Sequence, residues 1–345
     1  MYILIYIEVL MLMKKEAILI TGCAGFIGSR FAEYLLEYHK EYKIIGIDNM
    51  FGGYIENVPK EVEFYNYDLS TCDLNEIFEN NDIEYVFHFA AYAAEGLSPF
   101  IRKFNYKNNV IATANIINAC IKYNVNRLVF TSSMAVYGHG SYCKFFLETD
   151  IPEPIDPYGV AKYACEMDIK IAGDQHGLDW CIIRPHNVFG IKQNIWDKYR
   201  NVIGIWMYNI LKNKPITIYG DGEQTRAFTY IDNILQNLWN AAVYKKASKQ
   251  IINLGGLKEY SLNDTADILS NITGYNYKVY LEPRHEVKFT HPVPDKSIQI
   301  LDYKETISVE EGISRMWEWA KNQPDRDQYK WPFYEIDKNL YSYWK

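Results

Sequence analysis

The sequence predicts an α/β fold in which a doubly wound parallel sheet is followed by a smaller C-terminal lobe. Three observations predict this fold. Short apolar runs alternate with helical patterns in the first half, a glycine-rich turn joins the first run to the first helix, and the rhythm changes after about Arg184. Continuous apolar strands suit a parallel sheet that is buried on both faces. Strand–helix alternation implies right-handed crossovers between such strands.

The predicted strands of the first half are rich in Ile, Val, Leu, Phe and Tyr: Ala17–Thr21, Lys43–Asp48, Glu63–Tyr67, Tyr85–Phe89, Arg127–Ser132 and Trp180–Arg184. The predicted long helices between them are Phe26–His39, Asn105–Tyr123 and Pro157–His176. The second half predicts helices near Asn201–Lys212, Asp232–Lys245, Leu262–Thr273 and Val309–Asn322. We therefore predict one domain over residues 14–184 and a looser lobe over 185–345, of which part of 225–255 packs back on the first domain.

Composition narrows the possible partners of the chain. Its 345 residues include 36 Lys and Arg against 43 Asp and Glu, a formal net charge of −7. A mildly acidic chain is a poor candidate for binding nucleic acid or anionic membranes, which attract concentrated basic residues. The six cysteines form no CxxC pair, which favours reduced thiols in a cytoplasmic protein. No His, Cys or acidic residues have metal-ligand spacing, so we expect no metal site.

The first thirteen residues, MYILIYIEVLMLM, are apolar and are followed by Lys14 and Lys15. A bilayer span needs about 20 apolar residues, and a signal peptide carries its positive charge before the apolar run. We therefore interpret this segment as an extension ahead of the true start, which we expect at Met11 or Met13. An arm that touches a membrane is the alternative.

A glycine-rich loop, TGCAGFIG at residues 21–28, directly follows the first predicted strand and opens the first helix. Residues without side chains let backbone N–H groups approach a pyrophosphate, and the helix N-terminus adds partial positive charge. The predicted cofactor residues of this loop are Gly22, Gly25, Phe26, Ile27 and Gly28.

An acidic residue, Asp48, ends the second strand about 20 residues after the last glycine, where a dinucleotide-binding fold places the acid that binds the adenosine ribose. No Lys or Arg follows Asp48 and Asn49 closely, so a 2′-phosphate would meet repulsion. The loop and the acid together predict that NAD is bound rather than NADP.

The motif YGVAK places Tyr158 and Lys162 on one face of a predicted helix. An ammonium near a phenol favours the phenolate, which could take a hydroxyl proton while hydride leaves the same carbon. The spacing recurs at Tyr208, Tyr334 and Tyr341, but only Tyr158 lies behind a strand that ends in Thr131, Ser132 and Ser133. Because ligands of such sheets bind beyond the carboxyl ends of the strands, Ser133 can hydrogen-bond the reacting hydroxyl.

Together these motifs resemble the extended short-chain dehydrogenase/reductase family, specifically its nucleotide-sugar epimerases and dehydratases. From about Ile18 to at least Asp302 the motifs follow the family order: TGCAGFIG, IDN, YDLS, HFAA, TSSMAVYG, YGVAK, RPHNVFG and GDGEQTRAFTYIDN. The SMAVYG segment and the separation of Ser133 from Tyr158 look most like the UDP-glucose 4-epimerase branch. Dehydratases carry an Asp-Glu pair where this chain has Met134 and Ala135, which disfavours 4,6-dehydration.

The resemblance implies a Rossmann-type first domain, a sugar-nucleotide-binding second lobe and NAD-dependent 4-epimerisation of a UDP-hexose through a transient 4-keto sugar. A nucleotide-sugar 4-dehydrogenase, another oxidoreductase of the family, an epimerase acting at another carbon and a non-catalytic NAD-binding regulator remain alternatives. The sugar and the base stay open. The resemblance also implies a homodimer paired through the helices predicted over Asn105–Tyr123 and Pro157–His176.

Further site residues are implied by the resemblance alone. The adenine contacts would be Asp68 and Leu69, and the cofactor would be lined by Phe89, Ala90, Ala91, Tyr92 and Asn108. The sugar nucleotide would meet Asn187, its base would lie near Asn201, Thr217 and Tyr219, and its diphosphate would be held by Arg226 and Arg284. Some 4-epimerases place a Lys where this chain has Ala93, so a positive charge near the cofactor is missing. We interpret His186 as a packed side chain rather than a catalyst.

Overall fold

The computed structural model describes residues 16–139, 145–284 and 286–344. The predicted extension over residues 1–13 and Cys143 lie outside the described residues. Within the described ranges, no helix is both long enough and apolar enough to cross a membrane. The cysteines that these ranges contain are free thiols.

Parallel strands form the centre of the molecule. In chain order the strands are β1 (Ala17–Thr21), β2 (Lys43–Asp48), β3 (Glu63–Asn66), β4 (Ile83–His88), β5 (Arg127–Thr131), β6 (Phe145–Phe146), β7 (Trp180–Pro185), β8 (Val188–Phe189), β9 (Ile216–Tyr219), β10 (Thr225–Arg226), β11 (Thr229–Tyr230), β12 (Gln250–Leu254), β13 (Tyr260–Ser261), β14 (Lys278–Leu281) and β15 (His291–Pro292). Within the described residues, the largest sheet has seven strands in the order β12-β7-β5-β4-β1-β2-β3. All of its pairings are parallel.

The longer helices flank this sheet or build the second lobe. They are α1 (Phe26–Tyr38), α2 (Asn75–Asn80), α3 (Arg102–Tyr106), α4 (Ala112–Lys122), α5 (Pro157–His176), α6 (Val202–Leu211), α7 (Leu235–Val243), α8 (Leu262–Thr273), α9 (Asp295–Leu301) and α10 (Val309–Ala320). The helix predicted over Asn105–Tyr123 instead begins at Arg102, and a π-helical turn over Lys107–Ile111 separates α3 from α4.

The central strand β1 shows why continuous apolar runs form this sheet. All of its residues are buried, and successive side chains point to opposite faces. Ile18 and Ile20 pack in one core with side chains of α1 and α7, whereas Ala17 and Leu19 pack in a second core with side chains of α4 and α5. Both faces are covered, so the predicted doubly wound α/β fold is confirmed.

The strands predicted in the first half all occur in this sheet, with bounds that differ by at most two residues. The remaining strand, β12, comes from the second half and pairs with β7, with Ile251 beside Ile182. Sequence alone does not mark β12, because its apolar run is short and polar residues interrupt it. Residues 250–254 of the second half thus complete the sheet of the first half. The predicted division into domains near residue 184 stays a prediction.

The chain after β7 forms α6, α8, α10 and small two-stranded sheets such as β9–β14. Its last described segment, residues 329–344, is rich in Tyr and Trp, and we call it the aromatic tail. Trp331 and Trp344 of this tail pack with Phe100 and Tyr199. The tail thus lies against both halves of the chain, beside the carboxyl ends of the sheet strands.

Candidate active site

A cavity of about 450 Å³ opens at the carboxyl ends of the sheet strands. Its walls come from the loops after β1, β2, β4 and β5, from the start of α5 and from segments of the second lobe. Parallel α/β sheets bind ligands at this edge, and the volume suits a small-molecule ligand. The lining includes every residue that the sequence assigned to the cofactor.

The loop after β1 is shaped by close backbone contacts. A Cβ atom on Gly22, whose φ is +72°, would lie 2.8 Å from the Ala90 nitrogen, and one on Gly28 would lie 2.2 Å from the Gly22 oxygen. Helix α1 begins at Phe26 after Gly25, with no side chain capping its first N–H groups. Those N–H groups are therefore available to an anion. Gly22, Gly25, Phe26, Ile27 and Gly28 all line the cavity, so this loop fits the diphosphate of a dinucleotide.

Asp48 ends β2 at the cavity wall beside Asn49. Its two carboxylate oxygens accept the N–H groups of Ala24 at 3.0 Å and Met50 at 2.8 Å. Burial raises the pKa of this carboxyl, while those N–H groups and the nearby Arg200 charge lower it. Each oxygen keeps a second lone pair, which a ribose hydroxyl can use. Asp48 thus holds its own loop and is also a suitable ribose ligand.

Asp68 and Leu69, which the resemblance assigns to adenine, line the cavity together with Asn108. The carboxylate of Asp68 accepts the N–H of Ser70 at 2.9 Å and the ammonium of Lys107 at 3.0 Å. The side-chain amide of Asn49 reaches the Asn108 oxygen at 3.4 Å. The π-helical turn carries Asn108, so an irregular helix places this predicted residue at the wall.

The segment after β4, Phe89 to Tyr92, forms the floor between the two ends of the cavity. Thr21 Oγ1 accepts the Ala90 N–H at 3.2 Å and lies 2.6 Å from Nδ1 of His88. The other ring nitrogen of His88 lies 2.9 Å from the Thr113 hydroxyl, and burial lowers the pKa of His88 to about 3. A neutral, buried imidazole therefore ties β1, β4 and α4 together beneath the site, which keeps Ala90 and Ala91 in place.

Ser133, Tyr158 and Lys162 meet in this cavity, as the sequence predicted they would. The ammonium of Lys162 donates to the Thr131 carbonyl at 2.8 Å and lies 5.9 Å from the centre of the Tyr158 ring. Asp156 caps α5 by accepting the Gly159 N–H at 2.9 Å, and Ser98 accepts the Tyr158 N–H at 3.1 Å. Both contacts fix the first turn of α5 and hence the phenol.

The charge state of this group differs from the sequence expectation. Burial raises the pKa of Tyr158, the nearby Glu95 adds to the rise, and the hydrogen bond from Ser133 lowers it. Burial also lowers the pKa of Lys162 to about 8. The protein groups alone therefore keep the phenol neutral, because the desolvation of a phenolate outweighs the help of its neighbours. The positive charge of a bound oxidised nicotinamide would shift this balance towards the phenolate.

The predicted substrate residues divide into two groups. Asn187, Asn201, Arg226 and Arg284 line the cavity, together with Ser133. Thr217 and Tyr219 are not part of its described wall. The Thr217 carbonyl accepts the indole N–H of Trp206 at 2.7 Å, which accounts for that position structurally. The ring of Tyr219 is covered by the Arg284 guanidinium at 4.2 Å and by the ring of Tyr343, of the aromatic tail, at 4.9 Å.

The two arginines of the second lobe share one carboxylate. Nη2 of Arg226 lies 3.2 Å from Glu286 Oε2, and Nη2 of Arg284 lies 3.4 Å from the same oxygen. A pair of guanidinium groups is well suited to a diphosphate, and Glu286 occupies part of their hydrogen-bonding capacity. The sequence could not reveal Glu286, because its role depends on a loop that meets β10 only in the fold.

Several other wall residues were not predicted, namely Glu95, Asp156, Arg200, Tyr341 and Trp344. Glu95 lies two residues after Ala93, in a segment that the sequence analysis used only for its missing Lys. Arg200 and the aromatic tail reach the cavity from distant parts of the chain, so no local motif marks them. A signal for Glu95 existed in the sequence, as a charged residue directly behind a cofactor-lining strand end.

His186 is buried and lies outside the described cavity wall. Burial lowers its pKa to about 3, and its ring centre lies 6.4 Å from that of Tyr137. The side chain is thus a neutral packing residue, in agreement with the sequence interpretation. In the described ranges, no three His, Cys, Asp or Glu side chains gather in a way that could hold a metal ion.

Comparison with known proteins agrees with this geometry. Residues 18–255 match the model of the NAD dependent epimerase/dehydratase family. The chain is 34% identical over 307 residues to a putative UDP-glucose 4-epimerase of Methanocaldococcus jannaschii, covering 88% of this chain and 98% of the relative. It also resembles the crystal structure of Thermotoga maritima UDP-glucose 4-epimerase with UDP-glucose, with a TM-score of 0.83, 32% identity, and coverage of 88% and 98%.

A third similar protein is Bacillus cereus UDP-glucuronic acid 4-epimerase, solved in complex with UDP-glucuronic acid and NAD. The TM-score is 0.81 at 29% identity, covering 88% of this chain and 99% of that one. The chain therefore belongs to the NAD-dependent epimerase/dehydratase family. The predicted family, the predicted enzyme class and the predicted use of NAD are confirmed, while the sugar differs among the similar proteins.

Proposed function

We propose that this enzyme is a 4-epimerase of a UDP-hexose of the UDP-glucose/UDP-galactose type, which inverts carbon 4 through a transient 4-keto sugar. The observation that carries the proposal is the meeting of Ser133, Tyr158 and Lys162 in one cavity with the glycine-rich loop. Met134 and Ala135 follow Ser133 and offer no proton donor or acceptor, so elimination of water is not supported.

The cofactor would be held by residues that already fit it. The loop from Gly22 to Gly28 would receive the diphosphate, Asp48 the adenosine ribose, and Asp68 with Leu69 the adenine. When bound, NAD would supply the acceptor, and later the donor, for the hydride of carbon 4 of the sugar.

The residues of the chain would move the proton and hold the sugar nucleotide. Ser133 would hydrogen-bond the 4-hydroxyl and orient it, and the Tyr158 oxygen would accept the hydroxyl proton as the carbonyl forms. Lys162 would stabilise the phenolate electrostatically. In the return step Tyr158 would give the same proton back to the oxygen at carbon 4. Arg226 and Arg284 would keep the diphosphate in place while the sugar rotates and presents its opposite face.

The acidic residues of the wall support a neutral hexose rather than a uronic acid. Glu95 and Asp156 lie near each other, and Glu286 lies within electrostatic reach of Glu95. The surrounding cavity walls and the charge of Asp156 raise the pKa of Glu95 to about 7, although its side chain is itself exposed to the cavity. A hexose carboxylate about 4 Å from one of these charges would meet repulsion of about 4 kcal/mol at an effective dielectric constant near 20, and of about 1 kcal/mol in bulk water. We therefore expect UDP-glucuronate to be the poorer substrate.

A panel of UDP-sugars tests the proposal. Purified protein is incubated with UDP-glucose, UDP-N-acetylglucosamine and UDP-glucuronate, and the 4-epimers and the nicotinamide absorbance are both measured. We expect UDP-galactose to form from UDP-glucose without accumulation of NADH. Stoichiometric NADH with release of a keto sugar would instead show a 4-dehydrogenase. Absence of turnover with every sugar would contradict the proposal.

We also propose that the enzyme is a cytoplasmic homodimer. Helix α5 exposes Val160, Met167 and Ile171, which share one face and are 41%, 43% and 51% exposed. Ile111 adds to this apolar surface from the π-helical turn and is 52% exposed. We expect light scattering to give a dimer mass for the wild type and a monomer mass for Met167→Lys. A monomeric wild type would remove the proposal.

A further inference from the structure

Arg200 is a cation at the cavity wall that neither the motifs nor the resemblance assigned. It precedes α6, on the side of the cavity formed by the second lobe. Its Nε donates to Asp197 Oδ2 at 2.9 Å, and the hydroxyl of Tyr92 donates to the same oxygen at 3.2 Å. The guanidinium lies over the Tyr92 ring, 4.6 Å from its centre. An ion pair and a stacked ring therefore hold Arg200 in one orientation across the end of β4.

One nitrogen of this guanidinium has no hydrogen-bond partner. Nη2 of Arg200 is buried and makes no hydrogen bond to any described residue. A buried donor without an acceptor is unfavourable, and more so when the group is charged. The local structure therefore provides a positioned donor whose acceptor is not part of the described protein.

The backbone of Gly52 lies directly against Nη2 of Arg200. A Cβ atom on Gly52 would lie 2.4 Å from Nη2 and 3.3 Å from Cζ of Arg200, and the φ of Gly52 is +93°. Only a residue without a side chain admits the guanidinium here. Gly52 follows Asp48 and Asn49 closely, so Arg200 of the second lobe reaches the loop that carries the predicted ribose acid.

The charge of Arg200 acts on both ends of the dinucleotide site. It lowers the pKa of Asp48, at the adenosine ribose position, and the pKa of Tyr158, at the reacting carbon. The diphosphate of a dinucleotide joins its two ribosides and must lie between those ends. Arg200 thus lies where the negative charge of the cofactor is concentrated.

We propose that the guanidinium of Arg200 binds the diphosphate of NAD from the second lobe, opposite the glycine-rich loop. A guanidinium is suited to this role because its nitrogens form charge-assisted hydrogen bonds with phosphate oxygens. Arg200 thereby supplies the positive charge that is missing at Ala93, although it comes from another part of the chain. The proposal rests on the use of NAD and is independent of the sugar.

Binding measurements without any sugar nucleotide test the proposal. The variants Arg200→Gln and Arg200→Lys are purified, their bound NAD per chain is measured, and calorimetry on cofactor-stripped protein gives Kd for NAD, ADP-ribose and adenosine. We expect Arg200→Gln to weaken NAD and ADP-ribose by about 10- to 100-fold, as the loss of one charge-assisted hydrogen bond predicts. Adenosine, which has no diphosphate, should be unaffected. Arg200→Lys should lie between the two proteins.

Two further variants keep the test decisive. Gly52→Ala leaves the charge in place but displaces the guanidinium, so it should also weaken ADP-ribose. Arg226→Gln, on the substrate side, should weaken UDP and leave NAD unchanged. If Arg200→Gln misfolds, Gly52→Ala and Arg200→Lys still give the answer. Full NAD content and wild-type Kd values in these Arg200 and Gly52 variants would overturn the proposal.

The outcome is separable from the proposed function. Unchanged NAD affinity in the Arg200 variants would leave a 4-epimerase with another source of cofactor affinity. If the Arg200 variants lose NAD affinity as expected but the wild type turns over no UDP-sugar, the proposed function is overturned and the role of Arg200 stays intact.

Discussion

The cofactor side and the substrate side of the cavity are built in different ways. The cofactor side consists of loops that directly follow neighbouring parallel strands, so Gly22, Asp48 and Ala90 are held by the sheet itself. The substrate side combines the start of α5 with loops and a tail that are far apart in sequence. In the proposed function, the strand ends would hold the cofactor, and the loops of the second lobe would hold the sugar nucleotide, whose sugar differs among the similar proteins.

The largest expected effect would separate chemistry from cofactor binding. Tyr158→Phe removes the proton acceptor, so turnover should fall by about 10²- to 10⁴-fold, while bound NAD stays near the wild-type level. The matched control is Tyr208→Phe, which has the same spacing to a Lys but is buried away from the cavity. Measured kcat and NAD content decide the matter. Full turnover in Tyr158→Phe would mean that another group moves the proton.

The next effect should fall on the cofactor side alone. Gly28→Ala places a Cβ atom 2.2 Å from the Gly22 oxygen, so the loop must shift and NAD should be lost from the purified protein. Gly274→Ala is the control, because it strains a helix end with a φ of +73° but has no atom within 4 Å of the added carbon. It should lower thermal stability slightly and keep NAD. Retention of NAD by Gly28→Ala would show that the loop is not the diphosphate site.

A smaller, pH-dependent effect would sharpen the view of the sugar pocket. Glu95, with its pKa raised to about 7, is neutral below that pH and ionised above it. The ratio of kcat/KM for UDP-glucuronate to that for UDP-glucose should therefore fall by about tenfold as the pH rises from about 6 to about 8. The reason is that ionised Glu95 repels the carboxylate of UDP-glucuronate. Titration of Tyr158 affects both substrates and cancels in this ratio.

Glu95→Gln removes the charge and provides the matched variant for that measurement. Its substrate ratio should be flat with pH and higher than the wild-type ratio above about pH 7. A wild-type ratio that does not change with pH, or a variant ratio that keeps the full slope, would show that Glu95 does not face the sugar.

The smallest effect concerns the two arginines of the second lobe. Glu286→Gln removes the carboxylate that pairs with Arg226 and Arg284, so UDP should bind several-fold tighter when the competing charge is gone. Calorimetry with UDP and with NAD distinguishes the two sides, since NAD affinity should stay constant. Weaker binding of UDP would mean that Glu286 positions the arginines rather than competing for them.

The same contrast explains what the sequence could predict. Strand runs, the glycine spacing and the acid at Asp48 are local signals, and the structure places these residues at one wall. Thr217 and Tyr219 follow a family motif equally well, yet the Thr217 carbonyl binds the indole of Trp206, and Arg284 and Tyr343 cover the Tyr219 ring. Glu286 and Arg200 acquire their surroundings only from contacts across the chain. Residues whose role depends on a distant neighbour therefore escaped prediction, and the lowered acidity of Tyr158 depends on burial that sequence does not show.

The strand β12 carries a consequence for dissection of the chain. Residues 250–254 cover the outer hydrogen-bonding edge of β7, with Asn253 beside Arg184. A fragment cut near residue 184 would leave the peptide groups of Trp180–Pro185 bare, and an unpaired, apolar strand of this kind recruits other strands. We expect such a fragment to aggregate when expressed, so the nucleotide-binding half should be studied only within the whole polypeptide.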